Sequence, residues 1–562
     1  MVGSTQPQRI RRSKFSLVLL IGFNCNSLLV DSFSSTTPSF FGHQESVDPW
    51  SILSTPLSTR TKIGRWNEQR RPVWLQHSTD RQSDEIDDTS ARPPPPPLSK
   101  FLQAVFLIAG TTVGGGFLAL PKTVVIPLGG FLPSAAALVL VWAYLLACSL
   151  ILCDGILLAQ ARQQQQQQRD NKPSMANGPS SVTTTAIGIP KTAQIALGSL
   201  GSQSATLLLV SLTVATLVSQ LSRAGSLLAS QLSESTSQPA LTVYRYGCAL
   251  ATMFGAAITH TRRRTEQTQS VDHHVTRSFR KERATSFADK CNSVLTVVFL
   301  GSAVLLFRAG AKAANWSACW STSGESIVQL LPKALTASPI MLQLLVYGEI
   351  LPNVCEMLEQ NRPTIRRAVW VGSSIPLLLL TGWAALGVAL IGNDAILRSS
   401  RMDPVDILMT TTGGSSAVPV RLLLLAMSAI GTTILGSFLA LQSAYDDWQG
   451  MLPSTRRRFS AFMERPWVRT LVISLPPLAV SCISPSLFLQ AIDFAGSYPV
   501  ILLYGFLPPL IVRRLQDDEK FGKTKMNKLY AAVGVLSTCL VGMNFLSDGS
   551  DILRRLLFRQ TS

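Results

Sequence analysis

The residues from Ala109 to Gly116 read Ala-Gly-Thr-Thr-Val-Gly-Gly-Gly and lie inside an apolar run. Each glycine disfavours a helix by about 1 kcal/mol relative to alanine, so Gly110, Gly114, Gly115 and Gly116 together argue against a continuous helix. Within a bilayer, unwound backbone is tolerated only where it is buried in protein or lines a cavity. It releases N–H and C=O groups, and the half-helix that follows turns its positive end to the gap, which suits a carboxylate. The same residues also suit close helix packing, since Gly110 and Gly114 form a small-xxx-small pair. A second interruption, Leu345-Val346-Tyr347-Gly348-Glu349-Ile350-Leu351-Pro352, puts a glycine, an acid and a proline in another apolar run. Two interrupted helices at corresponding positions of two halves point to a binding site near the middle of a membrane.

Both breaks need long helices to hold them. The chain has 562 residues, 46% of them apolar and 15% charged, with positive mean hydropathy. About 20 apolar residues cross a bilayer as a helix, and that window gives about eleven spans. They lie near 101–120, 127–160, 194–222, 241–259, 291–311, 331–357, 368–392, 420–443, 469–485, 490–512 and 527–547. The spans lack the period-2 alternation of a membrane β-barrel. With the first span starting on the positive side, the loops after even-numbered spans hold about 26 Lys and Arg and the others about nine. The net charge of +18 therefore follows membrane topology and does not suggest a nucleic-acid partner. The nine cysteines have no metal-site or disulfide spacing, and the histidines (His43, His77, His260, His273, His274) avoid the middle of every span. That pattern excludes a membrane metalloprotease, and no metal or cofactor is expected.

The chain divides into a leader and Pro-rich linker (1–100), a membrane domain (101–550) and a short tail (551–562). Arg9, Arg11, Arg12 and Lys14 precede the apolar stretch Phe15–Val30, the pattern of a secretory signal. A Ser/Thr-rich segment follows, with Phe33 near its start. The pair resembles the bipartite leader of plastid proteins in algae with secondary plastids; the plain alternative is a secretory signal or a first membrane anchor. Pro93–Pro97 forms a stiff spacer. The Gln163–Gln168 tract and its continuation are expected to form a loop, as is the Arg-rich stretch 261–290. Asp493 marks a helix start, and Asp154 reads as a helix-end or packing residue.

The run Ile108–Pro121 is similar to the opening of the hydroxy and aromatic amino-acid permease family, which includes bacterial tyrosine- and tryptophan-specific permeases. The similarity continues in Tyr347–Cys355, Gly372–Leu377 with Trp383, Asp403-Pro404-Val405, Ser428–Asp446, Leu475-Pro476-Pro477, Ala495-Gly496 and Leu507-Pro508. It covers roughly residues 100–547. The resemblance implies an all-α polytopic membrane protein of the amino acid/polyamine/organocation superfamily. Its five-plus-five inverted repeat would comprise about 101–311 and 331–512 with an extra helix at 527–547, and spans one and six would be discontinuous. It also implies that Gly110, Thr111, Thr112, Gly114, Gly115 and Gly116 hold the substrate carboxylate, and that Tyr347 and Gly348 meet the rest of the substrate.

Family members commonly carry a histidine after the aromatic residue of span six; this chain has Gly348 there, followed by Glu349. An intramembrane carboxyl is a functional candidate by default, so Glu349 is the candidate for proton coupling. The alternative places it facing a water-filled vestibule with Asn353 and Glu356. Ser428, Thr432 and Thr433 are candidates to line the pathway, although hydroxyls in membrane helices often bond their own backbone. The expected function is proton-coupled transport of aromatic or other neutral amino acids without a cofactor. The partners are an amino acid, a proton and the bilayer. A transporter-like sensor that binds without transport is the alternative. The membrane is the plastid envelope on the leader reading, and otherwise the plasma membrane or an endomembrane.

Overall fold

The computed structural model describes residues 96–170, 187–232, 238–271, 287–320, 326–391, 417–451, 465–517 and 526–559. The leader, Phe33 and the Asp403-Pro404-Val405 motif lie outside these residues. In the described part the chain is helical throughout: α1 (Leu98–Thr112), α2 (Phe131–Asp170), α3 (Ile189–Leu232), α4 (Ala240–Val271) and α5 (Phe287–Ala313) come first. Then follow α6 (Ile327–Leu345), α7 (Leu351–Met357), α8 (Arg362–Ile391), α9 (Ala417–Met451), α10 (Pro466–Ser481), α11 (Leu487–Ser497), α12 (Leu507–Asp517) and α13 (Met526–Arg559).

Eight of the described helical segments are long and apolar enough to cross a membrane, and two shorter ones, Leu98–Thr112 and Trp467–Ser481, are also apolar. The 15 residues of α1 rise only about 22 Å before its helix stops, which is why this span falls short. Its path continues through a 3-10 turn (Gly115–Ala119) and a π turn (Pro121–Val125).

Several helix pairings build the bundle. Helix α1 packs on α8, and α6 packs on α2; α3 packs on α11, and α9 on α5. Helix α4 packs on α3, α5 and α9, and α9 packs on α3 as well. Helix α11 also packs on α6, and Gly496 sets that approach, because a Cβ there would overlap the backbone carbonyl of Pro339 on α6.

Three sequence expectations change. Gln163–Gln168 is the end of helix α2 rather than a loop, in keeping with the good helix propensity of glutamine. The Arg-rich stretch 261–290 is helical at both ends, up to Val271 and again from Phe287. Asp493 lies within α11, whose first residue is Leu487, so the apolar turn before it already belongs to the helix.

Candidate functional site

Helix α1 ends at Thr112. Val113 (φ −87, ψ 94) and Gly114 (φ −90, ψ 176) are extended before the chain turns again at Gly115. The Thr111 hydroxyl donates to Leu107 O at 2.7 Å and that of Thr112 to Ile108 O at 2.5 Å, which ties both side chains to the last turn. The N–H of Gly115 has left the helical ladder and donates to Gln220 Oε1 on α3 at 2.8 Å.

Helix α6 ends in the same manner. Val346 (φ −76, ψ 139) is extended, Tyr347 (φ −148, ψ 10) leaves the helix, and a 3-10 turn at Gly348–Ile350 leads into α7. Pro352, in the first turn of α7, sits where a missing N–H removes no hydrogen bond.

The two breaks meet at one small cavity. It is lined by Thr111, Thr112 and Gly114 from the first break and by Gln343, Leu344, Val346 and Glu349 from the second. Thr216 and Gln220 of α3, Thr433 of α9 and Ile492 of α11 complete it. Of the residues singled out in the sequence, Thr111, Thr112, Gly114, Glu349 and Thr433 therefore come together.

The others stand aside from the cavity wall, with only the Gly115 N–H reaching it through Gln220. Gly110 faces α5, where a Cβ would overlap Oγ1 of Thr296, and Gly115 and Gly116 are packed under Ile430 and Leu344. The Tyr347 side chain is buried beside Ser149 of α2 and Ser373 of α8. Gly348 lies under Tyr504, whose ring a Cβ at position 348 would overlap. Ser428 donates to Leu424 O at 2.6 Å and Thr432 to Ala429 O at 2.9 Å, so both hydroxyls are engaged with their own helix. Thr433 also donates to Ala429 O, at 3.0 Å, but lies on the cavity side.

Five cavity residues escaped the sequence reading, Thr216, Leu344 and Ile492 together with the two amides Gln220 and Gln343. Neither amide carries a charge, and each shares its apolar span with other amides, Gln194 and Gln203 alongside Gln220 and Asn353 alongside Gln343. No local signal therefore singled out these two amides from their neighbours.

Outside the cavity, Asp154 of α2 is 5% exposed and accepts from Arg362 Nε at 2.9 Å and from Arg362 Nη2 at 2.8 Å. Arg366 Nη2 adds a bond at 3.2 Å, and the Tyr530 hydroxyl of α13 lies 3.5 Å away. This cluster joins α2, the start of α8 and α13. At the same end, Lys100 of α1 pairs with Glu359, after α7, at 2.7 Å. Arg223 lies 5.4 Å from the ring of Phe488, on α11.

Two discontinuous helices converging on a polar cavity inside an apolar bundle define a membrane-transporter architecture. The crystal structure of MhsT in complex with L-phenylalanine shares the fold, with a TM-score of 0.51 at 13% identity, over 79% of this chain and 98% of MhsT. No curated protein matches the sequence. Residues 98–272 and 282–544 match the tryptophan/tyrosine permease family, and the chain belongs to that family. It is an integral multi-pass membrane protein and a transporter rather than an enzyme.

Proposed function

We propose that the protein is a proton-coupled permease for aromatic amino acids (tyrosine or tryptophan) or other neutral ones, working by alternating access without a cofactor. The observation that carries this reading is the convergence on one cavity of Gly114, from the first break, and Glu349, from the second. The unwound backbone supplies neutral donors for a carboxylate, and Glu349 supplies the one acidic side chain of the described cavity wall. The phenylalanine bound by MhsT belongs to the same aromatic class.

On this reading the membrane is crossed about eleven times. Spans one to five (α1 to α5) and six to ten (α6 with α7, α8, α9, α10, and α11 with α12) form inverted repeats, and α13 is the extra span. The packing supports that division. Advancing each span by five positions turns the α1–α8 contact into α6–α2 and the α3–α11 contact into α9–α5. The leader supports delivery to a plastid envelope, which a fluorescent fusion to residues 1–100 would test by its location.

The deciding experiment is uptake of radiolabelled tyrosine, tryptophan and phenylalanine into proteoliposomes, with and without an imposed pH gradient. Accumulation driven by inward protons is expected. Binding without accumulation would replace the permease reading with that of a sensor.

A further inference from the structure

The two cavity amides have orientations fixed by their neighbours. Gln220 is 4% exposed and Gln343 is 8% exposed. The Ser219 hydroxyl donates to Thr216 O at 2.8 Å, so its oxygen is left to accept from Gln220 Nε2 at 3.2 Å. Gln220 Oε1 is then the atom that faces the Gly115 N–H, 2.8 Å away. The Thr216 hydroxyl donates to Leu212 O at 2.9 Å and accepts from Gln343 Nε2 at 2.8 Å. Gln343 Oε1 is thereby turned away from Thr216, is buried, and meets no donor among the described residues. A buried acceptor of this kind is costly unless a donor reaches it.

The N–H freed by unwinding is thus held by a side-chain carbonyl oxygen, which is chemically close to one oxygen of a carboxylate. Access to it depends on Gly114, since a Cβ there would lie 2.6 Å from Gln220 Nε2. We propose that Gln220 is a built-in stand-in for the substrate carboxylate. An arriving amino acid takes the Gly115 N–H from Gln220 Oε1 and presents its ammonium to Gln343 Oε1. This rests on the reading of the cavity as an amino-acid site, and it adds a basis for selectivity. A ligand with an ammonium but no carboxylate cannot displace Gln220 and is refused.

The test is equilibrium binding to the full-length protein in proteoliposomes. The probes are phenylalanine, tyrosine and tryptophan, together with the amines that lack their carboxylate: phenethylamine, tyramine and tryptamine. The wild type is expected to bind at least one of the amino acids and to refuse its amine. Gln220→Glu leaves a permanent carboxylate at the Gly115 N–H, so amino-acid affinity falls about tenfold or more and the amine is bound, as expected for a charged hydrogen bond. Gln220→Leu leaves no competing acceptor, so the amino acid binds about fivefold tighter, the scale of one neutral hydrogen bond, while the amine, with no carboxylate to take the vacated Gly115 N–H, gains nothing.

Amino-acid binding within twofold of wild type in both variants, with the amine still refused, overturns the stand-in role and leaves the permease reading in place. Weaker amino-acid binding by Gln220→Leu also overturns it, because Gln220 would then be a direct ligand. A wild type that binds none of the three amino acids overturns both readings.

Discussion

The two helix breaks are built alike in backbone and differently in side chains. Each replaces a helical turn with extended residues, Val113 and Gly114 in one and Val346 in the other, followed by a 3-10 turn. At the first break the cavity receives a glycine and two threonines whose hydroxyls are bonded to their own helix. At the second it receives Gln343 and Glu349. One end of the cavity therefore presents backbone, with the Gly115 N–H held by Gln220, and the other presents the side-chain oxygens of Gln343 and Glu349, a contrast that fits a zwitterion. The difference teaches that a common backbone device can serve opposite charges, with glycine keeping one end bare and side chains filling the other.

The largest expected effect removes the titratable side of this contrast. Glu349→Gln should abolish accumulation driven by a pH gradient while leaving exchange of labelled for unlabelled substrate. A one-unit gradient is worth about 1.4 kcal/mol per proton, or about tenfold accumulation, so an unchanged ratio in the variant would remove Glu349 from coupling. Next, Gly114→Ala should weaken binding and lower thermal stability. Its Cβ would press on the Gln220 amide at 2.6 Å, and overpacking of this kind costs about 1–3 kcal/mol. Gly110→Ala should disturb packing against Thr296 and lower stability by about the same amount without changing the affinity of the folded fraction. Equal effects of the two alanines on affinity would erase the distinction between a cavity glycine and a packing glycine.

The smallest contrast lies on α9. Thr433→Val should weaken substrate binding about threefold, the scale of a modest hydrogen bond, and Thr432→Val should leave it unchanged. Binding isotherms on the two variants separate the residue on the cavity wall from its neighbour in sequence.

Much of the helical framework was legible because its signals are local. Apolar runs of membrane length, the glycine cluster before Gly116 and the Gly-Glu-Pro interruption after Tyr347 each announce themselves within a dozen residues. Glu349 stood out because a carboxyl inside an apolar span is expensive. The wall opposite the breaks was hidden for the converse reason. Gln220 meets Gly115 across 105 positions and Gln343 meets Thr216 across 127, and nothing local to either glutamine reports the partner. The same distance concealed the role of Asp154, whose arginine partners start a helix 208 and 212 positions away. Periodicity also does not reveal the rotation of an all-apolar helix, so it could not separate Thr433 from Thr432 or turn Tyr347 away from the cavity. Glutamine-rich sequence read as loop because composition speaks to burial, whereas α2 continues through it in keeping with the good helix propensity of glutamine.

The overlap of position 348 with the ring of Tyr504 constrains how this protein can vary. A side chain at 348 and a tyrosine at 504 compete for one volume, so the tyrosine is acceptable only while position 348 is glycine. A lineage moving from this pair to a histidine at 348 must first shrink position 504, and the order of the two changes then decides whether the intermediate folds. The two sites, 156 positions apart in the chain, are expected to covary across related sequences as a bulky residue that changes places.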